Sequence, residues 1–500
     1  MPTSVSQIAV LVAMLLVAAS PAYAERTDWR ELSVGHFHIY STFSDAKTRE
    51  VARQIQAFEQ TMGLVIKSDD PPPDVPTVVY LLGSDEYDRY LAPRPGTGGF
   101  YAGGLGANRM VIDGEQDFGC VKTVVFQAYT HFIVQSTHTG ILPPWYVQGY
   151  AQLFGSFRLV GDSVVLGEPP ASLREATQNW IPIDRLLAVK FGDAEYHDER
   201  LTPQYYGESW ALVHLLLFDN EKLRGPTERY LTSVSVGAPE DAAFKHAFPF
   251  DKPTLDTMLR KAMKQDATAV RKLKFKTPPE FDSAPVVRIP PAQADAEMAR
   301  LTFAVGRPRS IVDALIAAAV ADAPNDPSTQ ALAARIRAYE GETIDIAALS
   351  ALANAPGVTP RARIDIAGAL MPKGSGSSDA AKATLDILDS VVRADSPPID
   401  AILLWVRAAD VQPVPAATVA AVLEPTARRV PHDTTVLRQL ALAWEQLGNK
   451  AKARDCYNRI ILVSDSAKER LWAQKEADSE RLQNDRSPVP PAKATPASSN

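Results

Sequence analysis

Three side chains between positions 127 and 148 have types and spacing that could organise chemistry. Gln127 and His131 lie four residues apart in the apolar run Val124–Phe132. On a helix they project from one face. Gln148 follows seventeen residues after His131, beyond Leu142-Pro143-Pro144-Trp145, where a second helix begins. Two donors one helical turn apart and a third from a neighbouring helix is the arrangement that holds a tetrahedral metal with one open position. Only one of the three donors here is an imidazole. Amide oxygens are poor ligands for zinc, which prefers thiolate, imidazole or carboxylate. Ala128, between Gln127 and His131, carries a methyl group that accepts no proton.

The surrounding residues sharpen this reading. The first segment is Val124-Val-Phe-Gln-Ala-Tyr-Thr-His-Phe132, and the second is Leu142-Pro-Pro-Trp-Tyr-Val-Gln-Gly-Tyr-Ala-Gln-Leu-Phe154. Together they resemble the peptidase MA-like (gluzincin) zinc metallopeptidases, whose segments read H-E-x-x-H-F and P-x-W-x-x-E-G-x-A-x-x-F. The resemblance implies that Gln127 replaces the first ligand, Ala128 the catalytic Glu and Gln148 the third ligand, and that His131 alone is kept. It implies a zincin-like α+β domain whose zinc is lost, so no cofactor is expected. A carboxylate at 148 without its metal would be buried and unpaired, at a cost of several kcal/mol. A glutamine removes that charge. Gln127, His131 and Gln148 are therefore expected to form a small neutral polar cluster. The competing reading of His131 is a satisfied core histidine on an apolar helix.

The organisation of the chain follows from composition. Its 500 residues fit two or three domains. A formal charge of −7 argues against nucleic acid or an anionic membrane as the main partner. The apolar run Ile8–Ala19 is too short to span a bilayer. Ala22-Tyr23-Ala24 fits a cleavage site, although residues 1–7 contain no Lys or Arg. Residues 1–24 are thus read as a signal peptide, and the protein as periplasmic or secreted from a bacterium. Cys120 and Cys456 lack the spacing of a zinc or redox pair and are read as two buried free thiols, with a single bridge as the alternative.

Residues 25–277 read as the α+β peptidase-like domain. Trp29–Tyr40 suggests a strand, and His36 and His38 within it are better explained as surface or turn residues than as ligands. Helices are expected over Lys47–Met62, Ser84–Leu91, Val121–Gln135, Pro144–Phe157 and Tyr205–Phe218, and a strand over Val78–Leu82. Asp69–Pro76 is a Pro-rich loop, and Phe244–Leu259 closes the domain. The glycines from Gly96 to Gly104 lack a phosphate-binding lysine and read as a hairpin leading to Arg109–Ile112. The G-F-Y at Gly99-Phe100-Tyr101 is similar to the same family, in which an edge strand beside the cleft pairs with an extended peptide. Tyr101, Tyr205, Tyr206 and Glu208 are the candidate lining of a ligand cleft. In gluzincins a downstream Tyr or His often stabilises the oxyanion, and Tyr205, Tyr206, Glu208 and His214 are the polar residues in the corresponding helix. Aromatic core packing is the competing explanation.

Prolines at 278, 279, 290 and 291 bracket a linker over 278–291. Residues 292–483 are rich in Ala, Leu and charged residues, with expected helices including Ser310–Ala321, Ser328–Glu340, Asp379–Ala394 and Pro415–Arg429. The stretch 433–465 resembles a tetratricopeptide repeat: Leu437, Leu440, Ala441 and Trp444 fill the first helix, Leu447-Gly448-Asn449 the turn, and Ala453, Tyr457 and Ile460 the second. An all-α helical-repeat domain, tetratricopeptide-like, is expected there, with Ala467–Gln483 as a capping helix and 484–500 as a disordered tail. Three functions remain. The first is a catalytically inactive pseudopeptidase that binds a protein or peptide through the cleft or the repeats. The second is an active metal-dependent hydrolase with non-standard ligands, needing His131, His138, Glu208 or His214 to converge. The third is a purely structural protein.

Overall fold

The computed structural model describes residues 28–65, 75–91, 98–103, 106–116, 118–136, 140–170, 173, 180–190, 193–198, 200–264, 270–275, 284–464 and 466–479. The expected signal peptide, His138, most of the Pro-rich loop and the C-terminal tail lie outside them, as does the side chain of Cys120.

The chain is mixed α/β, followed by a long helical region. Among the described residues nine strands form two sheets: β1 Arg30–Val34, β2 Phe37–Ser41, β3 Thr77–Leu82, β4 Gly99–Ala102, β5 Asn108–Asp113, β6 Arg158–Val160, β7 Ser163–Leu166, β8 Arg271–Lys274 and β9 Val286–Arg288. The main sheet has the order β4-β5-β3-β2-β1-β9. Its centre, β5-β3-β2, is parallel, and the outer pairs are antiparallel. Strands β6-β7-β8 make a small antiparallel sheet.

The segment expected as one strand over Trp29–Tyr40 is instead a hairpin. Gly35 turns it with φ of +57°, a conformation that glycine adopts at no steric cost. Val34 then faces Phe37 across a two-residue loop. His36 in that loop pairs with Glu59 at 2.9 Å, and His38 lies 3.0 Å from the Ser33 hydroxyl, so the two have separate partners.

The helices of the first part are α1 Asp45–Val65, α2 Ser84–Leu91, α3 Phe118–Ser136, α4 Pro144–Gly155, α5 Ile183–Ala188, α6 Ala194–His197, α7 Thr202–His214, α8 Arg224–Ser235, α9 Glu240–Ala247 and α10 Lys252–Met263. Alternate residues along the central strands go to opposite faces. Ile39, Val79, Leu81, Met110 and Ile112 join the core with α1, α3, α4 and α7. Tyr40, Tyr80, Leu82 and Val111 join a second core with the helices that follow the sheet. Both faces are covered, as the near-continuous apolar Val78–Leu82 requires.

Those helices are α11 Pro291–Ala304, α12 Arg309–Asp322, α13 Pro327–Tyr339, α14 Ile346–Ala353, α15 Pro360–Leu370, α16 Ser378–Val392, α17 Ile399–Val411, α18 Ala416–Arg429, α19 Thr434–Gln446, α20 Lys450–Val463 and α21 Ala467–Ala477. Between α19 and α20 the chain turns at Gly448, with φ of +74°, and Asn449 caps the next helix by accepting from Lys452 N. Leu437, Leu440, Ala441, Ala453, Tyr457 and Ile460 are all buried in this pair. Cys456 is a free, buried thiol. Residues 286–288 of the expected linker form β9, paired with β1 through Arg30↔Arg288 and Leu32↔Val286. Among the described residues no helix is long and apolar enough to cross a membrane.

Candidate functional site

Two packed helices position the singled-out residues. Helix α3 lies against β4, and glycines allow the approach: β-carbons on Gly98 and Gly99 would stand 2.6 and 2.7 Å from the Val121 methyls. Helix α4 starts at Pro144, where a missing N–H costs nothing. Its seam with α3 is close. Thr123 Oγ1 donates to the Gly155 carbonyl at 3.2 Å, and the Gln127 side chain lies over Gly155, 2.6 Å from where a β-carbon would be. On its other side α4 meets α7 at Gly149, where a β-carbon would overlap the Ser209 carbonyl.

Along this seam His131 meets Gln148. Burial holds the His131 imidazole below its ordinary pKa, and a hydrogen bond with Gln148 opposes that more weakly. Gln148 is 2% exposed, and its amide oxygen has no donor at strict hydrogen-bond geometry, so the imidazole is a loose partner. Gln127 is directed to Gly155, two turns along α4 from Gln148. The structure thus joins His131 to Gln148 and directs Gln127 to a separate point on the same seam, at Gly155. Ala128 is partly exposed next to Gln127. Gln152, buried one turn past Gln148, is a further polar residue of α4 that the sequence reading passed over; the i,i+4 repeat of glutamine was its signal.

The remaining candidates are held by local partners. Tyr101 donates to Asn108 Oδ1 at 2.7 Å across the hairpin, and its ring centroid is 6.1 Å from Tyr129 and 6.5 Å from Phe132. It therefore borders α3 next to His131. Tyr205 is fully buried and Tyr206 partly so, with ring centroids 6.3 Å apart. Glu208 is 0% exposed; it accepts from Ile181 N at 2.8 Å and from Gln204 at 3.0 Å. Desolvation pushes its carboxyl up to about 8. His214, 1% exposed, lies 3.0 Å from Asp219 across a π-helical turn, Leu215–Asp219, that ends α7.

The side chains at the seam do not fit zinc. Two amides and one imidazole supply a single good ligand. Among the described residues no group of three His, Cys, Asp or Glu side chains is placed to hold a metal ion. What the seam can do is donate and accept neutral hydrogen bonds. No family model, curated protein or solved structure matches the chain.

Proposed function

We propose that this chain is a secreted or periplasmic protein with a zincin-like domain whose metal chemistry has been lost, and that it binds an extended peptide or protein segment instead of cutting it. One observation carries the reading: His131 meets Gln148 across the α3–α4 seam, where an imidazole and a carboxylate would share a metal, and neither side chain supplies a negative charge. Ala128 offers no general base. The sheet edge β4 runs beside α3, with Tyr101 next to Phe132, so a strand added to β4 would lie along the cleft. The C-terminal helical pairs, read as tetratricopeptide-like repeats, supply a second binding surface. No zinc and no nucleic acid are needed for this role.

A second reading is favoured by Glu208. A carboxyl with a pKa near 8 is protonated at neutral pH and suits a general acid. It would make the chain a hydrolase with non-standard ligands.

The test compares wild type with the triple variant Gln127→His, Ala128→Glu, Gln148→Glu. Metal content is measured by elemental analysis, and cleavage is followed on a quenched peptide library. Zinc bound only by the variant supports a retained scaffold. Stoichiometric metal or cleavage in the wild type, lost in Glu208→Gln, establishes the hydrolase.

A further inference from the structure

The helical region holds a second place with the makings of a site. Helices α11, α12 and α13 line a cavity of about 320 Å³. That volume is at the small end for small-molecule sites, roughly 300–1,000 Å³. A turn brings its walls together. Gly306, with φ of +69°, reverses the chain after α11, and Arg307 N donates back to the Thr302 carbonyl at 2.9 Å. Arg307 and Arg309 thereby return to the cavity that Phe303 borders. A β-carbon on Gly306 would meet nothing within 4 Å, so the space is open on that side. Val312 and Ile336 form a buried apolar floor. Phe303 and Tyr339 form an aromatic wall, their rings T-shaped with centroids 5.1 Å apart. Behind it Lys373, held at φ of +52°, sets its ammonium 4.9 Å from the Tyr339 centroid. Lysine adopts that left-handed conformation rarely, and residues so held gather at ligand sites.

The charged residues of the cavity are unevenly matched. Arg309 is shared by three acids: its nitrogens lie 2.9 Å from Asp313, 3.8 Å from Glu340 and 3.6 Å from Glu342. One positive charge thus faces three negative ones, and the four side chains are between 33% and 54% exposed. Exposed pairs of this kind contribute little, so a competing ammonium displaces Arg309 from an acid at small cost. Arg307 is the reverse case. Its Nε donates to the Tyr90 carbonyl at 2.9 Å, and among the described residues no carboxylate pairs with its guanidinium. Its terminal nitrogens are left to bond an anion. The cavity therefore has a cationic side, an anionic side and an apolar floor.

We propose that this cavity binds a free apolar amino acid as its zwitterion. The carboxylate goes to Arg307, the ammonium to the acids around Arg309, and the side chain to Val312, Ile336 and Phe303. Simpler ligands fit worse. A plain amine leaves Arg307 without an anion, and a plain carboxylate adds negative charge beside three acids. A hydrocarbon leaves both polar sides unmatched, and a residue inside a peptide has neither terminal charge to offer. The charges of the lining cancel, Arg307 and Arg309 against Asp313 and Glu340, which suits a ligand of zero net charge. The site shares no residue with the α3–α4 seam, so it stands or falls separately from the function proposed above.

The experiment is equilibrium dialysis of the full chain against L-leucine, L-leucinamide and N-acetyl-L-leucine. The amide lacks the carboxylate, and the acetyl derivative lacks the ammonium. Wild type should bind leucine saturably, and each derivative about tenfold more weakly, the effect of one lost charge-assisted contact. Arg307→Gln should weaken leucine about tenfold and leave leucinamide unchanged. Glu340→Gln should weaken leucine and leucinamide about threefold, since two other acids remain, and leave acetyl-leucine unchanged. A merely structural role for Arg307, through its bond to Tyr90, would weaken all three ligands equally, and that result overturns the proposal. So does an absence of saturable leucine binding to wild type, or binding of either derivative as tight as that of leucine.

Discussion

His131 and Gln148 face one another across two helices, α3 and α4, that Gly155 allows to approach closely. Their pairing has a readable consequence. Burial lowers the imidazole pKa, so the folded chain resists protonation there. Stability from this group is full above the unfolded value of about 6.5 and falls as the pH drops below it. Gln148→Glu should reverse the sign by placing an anion beside the imidazole. NMR titration of the His131 ring should then give a pKa above about 6.5, with the wild-type value below it. Equal values would mean that the two side chains do not interact.

Glu208 works in the opposite direction. Its folded pKa of about 8 exceeds the ordinary 4.5, so the stability it lends is complete below 4.5 and is lost as the pH rises through 8. The loss is at most about 5 kcal/mol by linkage. Glu208→Gln keeps the bond from Ile181 N and cannot ionise. Denaturant melts between pH 5 and 9 should show a declining midpoint for wild type and a flatter one for the variant. Two parallel curves would show that Glu208 ionises normally in the folded chain.

Gly149 is the tightest point between α4 and α7. A methyl there meets a backbone carbonyl, which cannot rotate away as a side-chain tip would. Gly149→Ala should cost about 1–3 kcal/mol, the range for overpacking a close-fitted seam. It should also loosen the His131–Gln148 contact one residue away. Urea unfolding measures the first, and the His131 titration the second.

The α19–α20 turn offers a simpler case. Gly448 has open space around a β-carbon, so only its φ of +74° opposes a side chain. Gly448→Ala should destabilise by about 1 kcal/mol, and Gly448→Asn by less, because asparagine tolerates the left-handed region better. A loss of several kcal/mol for either would point to a contact the backbone does not explain.

Local patterns were legible where periodicity and punctuation agree. Ser84–Leu91 forms the helix read from its sequence, and α3 extends the expected Val121–Gln135 only to Phe118 and Ser136. The Pro-Pro-Trp start placed α4. The reading of Trp29–Tyr40 as one strand overlooks Gly35, where the apolar alternation changes phase between Val34 and Phe37. Phe248-Pro249-Phe250 breaks what looked like one segment into α9 and α10. The π-helical turn at Leu215–Asp219 left no mark in an apolar run. At the site, the i,i+4 pair and the second helix were readable, whereas the separate direction of Gln127, toward Gly155, depends on side-chain packing. Asp365 was invisible, since its arginine partners come from 4, 30 and 65 residues away. Only the Arg361–Asp365 spacing falls within a short helical pattern; the other two do not.

Strand β9 changes how the chain should be divided. Composition marks a boundary near Pro278, yet eight residues later the backbone returns to the main sheet and covers β1. A fragment cut at that boundary would end with Arg30–Leu32 offering bare N–H and C=O groups to any passing strand. Such a piece would self-associate for reasons unrelated to its biology; pairing the edge requires the chain past Ile289, which donates its amide to Trp29, and covering the second sheet face requires it through α13.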